Sequence, residues 1–156
     1  MINLVEELKK AYNGNAWHGN NTWSLLLKVD PKKVFTHPIP NAHSIAELTL
    51  HLTAWTEEVI DRLNGQAAKE PTKGDWPSPT DLSETGWGVI MENFRSANER
   101  LITLVNNFMP TDWSSEVMDN RDLDSADSQT NNAELLNGLI QQHAYHSGQV
   151  ALLSKF

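Results

Sequence analysis

Between Ser44 and Leu63, apolar side chains recur three or four positions apart: Ile45, Leu48, Leu52, Trp55, Val59 and Leu63. That spacing puts one face of a helix against a core. Ser44-Ile45-Ala46-Glu47 has the capping-box order, in which hydroxyl and carboxylate each take a free N–H of the first turn. The pattern predicts a helix from Ser44 to about Asn64, stopped by Gly65 as a left-handed terminator. A second long block runs from about Asp81 to Phe108, with Val89, Phe94, Leu101, Leu104 and Val105 as its apolar positions. Gly86 and Gly88 weaken its start, and Met109-Pro110 ends it. The last block opens near Asn131, with Glu134 three residues on, and runs to about Ser154. Before them, Ile2 to Tyr12 and Thr22 to Val29 can form one interrupted helix, broken by Asn13-Gly14-Asn15 and His18-Gly19-Asn20-Asn21.

The connections carry turn and breaker residues. Asp30-Pro31 and Thr36-His37-Pro38-Ile39-Pro40 close the first block. Gln66 to Pro79 is a linker with Pro71, Gly74, Pro77 and Pro79, and its Trp76 is expected to fold back on the core. Thr111 to Thr130 reads as a surface crossover made acidic by Asp119, Asp122, Asp124 and Asp127. It lacks the glycine and closing glutamate of a calcium loop. Four helical blocks with no alternating strand pattern predict an all-α four-helix bundle, one domain over residues 1–156.

Composition narrows the function classes. Apolar content of 39% with six Trp suits a folded core, and no apolar run reaches the roughly 20 residues of a membrane span. The first ten residues lack the basic start and apolar middle of a signal peptide, so a cytoplasmic location is expected. The absence of cysteine removes disulfides, thiolate ligands and a cysteine nucleophile. A net charge of −8 without a basic stretch argues against nucleic acid as a partner.

The candidate chemistry lies in the histidines. At about 100° per residue, Leu135, Leu139, Val150 and Leu153 fall within about 40° of His146, so His146 sits amid an apolar stripe. His143 lies about 60° to one side and Gln142 about 40° to the other. His51 borders the buried stripe of its own helix, where side chains of facing helices meet. A buried imidazole needs a partner for each nitrogen, either hydrogen bonds alone or a hydrogen bond and a metal ion. His51 and His146 with one neighbour supply three ligands and an open position, the catalytic arrangement for zinc and similar ions. HExxH is absent, and no carboxylate stands three residues before His51, His143 or His146, which excludes a di-iron bundle. His37 and His43 read as solvated, and Glu47 as the cap partner of Ser44.

Several stretches resemble the DinB-like (DinB/YfiT-like) family: Ala16-Trp17-His18-Gly19, Ser44-Ile45-Ala46-Glu47-Leu48, His51-Leu52-Thr53-Ala54-Trp55, Gly65, Asp75-Trp76-Pro77, and the closing Tyr145-His146-Ser147-Gly148-Gln149-Val150-Ala151-Leu152-Leu153. The resemblance implies a four-helix bundle connected up-down-down-up, and a homodimer. It implies a metal triad of one histidine from the second long helix and two from the last, spaced His-x-x-x-His. His51 matches the first and His146 the third, but Gln142 stands at the second. His143 or His18 could supply the third nitrogen instead, or Gln142 a weaker oxygen. The implied activity is that of a metal-dependent transferase or hydrolase acting on a small-molecule electrophile. Its cofactors would be a divalent metal ion, zinc or nickel, and a low-molecular-weight thiol. Trp17, Trp55 and Tyr145 are candidate walls of the pocket. The contrasting reading is a non-catalytic dimeric bundle whose site has drifted.

Overall fold

In the computed structural model, which describes residues 2–120 and 130–156, every long helix begins at a side-chain cap. Helix α1 (Leu4–Tyr12) starts at Asn3, whose side-chain oxygen accepts from the backbone N–H groups of Val5 and Glu6. The short α2 (Thr22–Leu26) starts at Asn21. Helix α3 (Ile45–Leu63) has the full Ser44/Glu47 capping box. Gly65, at φ 84°, follows it in the left-handed region that favours glycine. Helix α4 (Glu84–Asn106) is capped by Ser83, and α5 (Asn132–Leu153) by an Asn131/Glu134 capping box. A single 3₁₀ turn covers Asp112–Ser114. Among the described residues there is no strand, only isolated bridges such as Ala16 with Gly19.

Two boundaries differ from the sequence expectation. The first block is two separate helices, because residues 13–21 turn the chain between them. Helix α4 begins at Glu84 rather than Asp81, since the Ser83 hydroxyl takes the Gly86 N–H. Gly86 itself passes so close to the Asp81 carbonyl that a side chain there would collide with it. One register detail also changes: Val89 is exposed, while Trp87 and Ile90 carry the buried face.

The four longer helices form the bundle. Helix α3 packs on α4 and α5, α1 packs on the same two from the other side, and α2 braces α5. One part of the core joins Tyr12, Leu26, Leu48, Leu52, Phe94 and Val150; the other joins Leu8, Val59, Leu101, Val105, Leu136 and Leu139. The apolar stripes of α3 and α5 are thus inward, as their periodicity predicts. No helix among the described residues is long and apolar enough to cross a membrane.

The connection from α3 to α4, residues 64–83, runs back along α3 and is tied to it. Glu58 is buried, and its Oε1 accepts from Arg62 Nε at 3.0 Å and from the Lys69 backbone N–H at 3.0 Å. Arg62 donates in turn to the Lys69 carbonyl and lies over the Trp55 ring, 5.7 Å from its centroid. A buried carboxylate persists only when paired in this way. The tie sets the path of the strap that reaches the histidines. Of the acidic crossover, Asp122, Asp124 and Asp127 lie outside the described residues.

Candidate metal centre

His51 stands two turns into α3 and His146 near the end of α5, and the packing of these helices brings the rings together. Their centroids are 4.9 Å apart with planes at 77°, and the residues are only 5% and 6% exposed. The Nδ1 of His51 lies 2.6 Å from the backbone carbonyl oxygen of Asp75. A carbonyl can only accept, so Nδ1 carries the proton and Nε2 is left with a lone pair. Asp75 is held in turn by the Trp55 Nε1–H, which donates to Oδ1 at 2.6 Å. His146 repeats the arrangement on its own helix: its Nδ1 donates to Gln149 Oε1 at 3.0 Å, which again leaves Nε2 free.

Metal-binding histidines show this pattern, one ring N–H anchored on a carbonyl or carboxylate and the other nitrogen presented. The residues therefore fit a divalent ion as two nitrogen ligands. Burial pushes the His146 pKa below its ordinary value, with the Gln149 bond opposing and the nearby His51 and His43 adding to the fall. His146 is then neutral, as a ligand must be, at neutral pH.

Gln142 occupies the third place. Its side-chain Nε2 lies 2.9 Å from His51 Nε2 and donates to that lone pair. A half-turn about the last side-chain bond would present the amide oxygen instead. Among the described residues no three His, Cys, Asp or Glu side chains converge to hold a metal ion. Gln142 puts an amide at the position where the family resemblance implies an imidazole.

The other sequence candidates lie elsewhere. His143 is wholly buried and turned about 60° around α5 from His146. Its Nδ1 is 3.4 Å from Thr22 Oγ1, which shares a 2.7 Å bond with Ser147 Oγ, and its ring lies 5.8 Å from that of Phe94. Nε2 has no partner. Burial, then the charge of His146, pushes the His143 pKa down to about 4. So His143 belongs to the core between α2, α4 and α5. His18 is exposed in the turn closed by Ala16 and Gly19, and Trp17 there is fully exposed. Trp55 meets His51 edge-on at 6.5 Å, and Tyr145, two-thirds exposed, lies 5.0 Å from His146.

Three features were not legible beforehand. Asp75 anchors His51, and Gln149 anchors His146; both belong to stretches that carried the family resemblance, but no spacing signalled their roles. Trp76 folds back as expected; what was not legible is that its indole stacks on His51 at 3.8 Å and on His43 at 3.6 Å. His43 is thus an exposed residue with a packing role. His37 and His43 both approach Glu47 Oε2, at 2.9 and 3.7 Å, while that carboxylate caps Ser44.

The DinB superfamily family model matches residues 16–150, most of the chain, and the protein belongs to that superfamily. No curated protein matches it.

Proposed function

We propose that this DinB superfamily chain is a metal-dependent enzyme, a transferase or hydrolase of small electrophiles. His51 and His146 would hold one divalent ion, zinc or nickel, with the Gln142 amide as a weaker third ligand. The observation that supports this reading is the pair of adjacent imidazoles, each with Nδ1–H anchored so that Nε2 keeps its lone pair, the one on His51 meeting the Gln142 amide. When bound, the ion would acidify a thiol or a water so that it attacks at neutral pH.

The chain's own residues do the rest. The Asp75 carbonyl and Gln149 hold the rings in one tautomer, so no proton has to leave Nε2 before it binds. Burial of both rings excludes bulk water, which strengthens every charge interaction there. Because the chain has no cysteine, a thiol nucleophile would have to come from a low-molecular-weight thiol. A homodimer follows the family resemblance.

A second reading rests on the 2.9 Å Gln142–His51 bond, which fills the place of a metal–nitrogen bond with a hydrogen bond. Under it the bundle is a non-catalytic dimer whose site has drifted. Elemental analysis of untagged protein decides between the two. About one zinc or nickel per chain, lost in both His51→Ala and His146→Ala, is expected for three protein ligands. Folded wild-type protein that takes up no metal after incubation with either ion would leave the second reading in possession.

A further inference from the structure

Anything that reaches His51 and His146 must first displace part of their enclosure, because both are almost wholly buried. Two walls are helices: α3 and α5 carry the two rings, and the buried faces of both helices form part of the core. Tyr145 stands on α5 beside His146 but is two-thirds exposed and forms only a rim. The remaining wall is Trp76, on the 64–83 connection, which has neither helix nor strand.

The Trp76 indole is one of three parallel rings. It lies 3.8 Å from His51, tilted by 9°, and 3.6 Å from His43, tilted by 3°, and its edge meets His146 at 5.9 Å. It covers one face of His51 and the side of His146 at once. Trp76 is itself 37% exposed, so its outer edge is at the surface. Next to it, Asp75 forms the polar latch: its carbonyl binds His51 and its carboxylate binds Trp55. Gly74, at φ 86°, and the Pro71–Gly74 turn precede the latch and allow the backbone there to pivot. An aromatic ring held by stacking and a few part-buried hydrogen bonds at the surface of the bundle opens more cheaply than a helix of the core.

From these contacts we infer that Trp76 is a gate over the paired histidines, closed by stacking between His43 and His51, and that small molecules enter when it swings out. The inference rests on reading His51 and His146 as the functional pair. His43 is then a docking post, a residue that stabilises the closed state without touching what binds. The slot that Trp76 vacates lies between two parallel imidazoles. Its chemistry suits a planar, conjugated group on the incoming molecule, which could replace the indole in the stack.

Diethyl pyrocarbonate, which acylates neutral imidazole nitrogen, tests the gate without metal or substrate. Modification at each histidine is followed by peptide mass spectrometry in metal-free wild type, Trp76→Ala and His43→Ala. Exposed His18 serves as the reference, and wholly buried His143 reports any general loosening of the fold. The expected result is that His51 and His146 react about tenfold faster in Trp76→Ala and a few-fold faster in His43→Ala, while His143 stays protected. Rates at His51 and His146 within about twofold of wild type in both variants would overturn the gate. So would a wild type in which they already react as fast as His18. If Trp76→Ala exposes His143 as well, the fold has loosened and His43→Ala alone decides. A chain that holds no metal yet shows the expected rates would leave the gate standing and remove only the metal reading.

Discussion

His143 and His146 stand one turn apart on α5, and the bundle treats them as different kinds of residue. His143 points into the closed core, where Thr22, Ser147 and Phe94 surround it and one nitrogen is left without a partner. His146 points to the seam between α3 and α5, where Gln149 fixes its proton and His51 faces it. Both are buried, and burial lowers the pKa of both. The lesson is that burial of a histidine does not mark a site. What marks it is a ring whose proton is anchored on one nitrogen, so that the other keeps a lone pair, and which packs against a second such ring.

The largest effect expected on this contrast comes from His143→Ala. It empties a fully buried ring position and should cost about 3–5 kcal/mol in denaturant unfolding, as for other large core truncations. Metal uptake by the surviving fold should be unchanged, because His143 takes no part in the His51–Gln142–His146 cluster. Loss of metal at full folding would break the distinction between the two regions.

Acid provides the second probe. The folded pKa of His143 is about 4, below its ordinary 6.5, so between these values the unfolded chain binds more protons than the folded one. The stability this neutral ring allows is fully present above about pH 6.5 and is lost as pH falls through about 4, up to roughly 3 kcal/mol. The pH dependence of the unfolding midpoint should flatten in His143→Leu by about that amount. A wild-type midpoint that does not fall over this range would show His143 to be free to ionise.

Gln142→His sharpens the other region with the smallest energy. Replacing an amide by an imidazole should tighten zinc or nickel binding about tenfold or more, equal to about 1.4 kcal/mol, measured by competition with a coloured chelator. Equal affinity in wild type and variant would mean that position 142 does not face the bound ion.

Much of this was legible in the order of residues. The apolar spacing of α3 and the Ser44/Glu47 cap defined that helix almost to its ends, since both depend on neighbours within one or two turns. The three-and-four spacing also placed His146 on an inward face, and the family resemblance marked Gln142 as the departure from a three-histidine pattern. Harder to see was the start of α4, where Gly86 yields to a contact with Asp81 in the preceding loop, and the exposure of Val89. Both are set by what packs against the helix rather than by its own period.

By itself, then, the sequence determined where the long helices lie, most of the faces they turn inward, that His146 sits amid an apolar stripe and that His51 borders one. Those properties follow from local hydrogen bonding and from the period of the α-helix. Only the tertiary structure decided that His143 and His146 part company, that Asp75 anchors a ring 24 positions earlier in the chain, and that Trp76 closes over the pair. Such contacts join residues remote along the chain. Their geometry depends on how helices cross and how the strap between them runs, which no periodicity within one helix encodes.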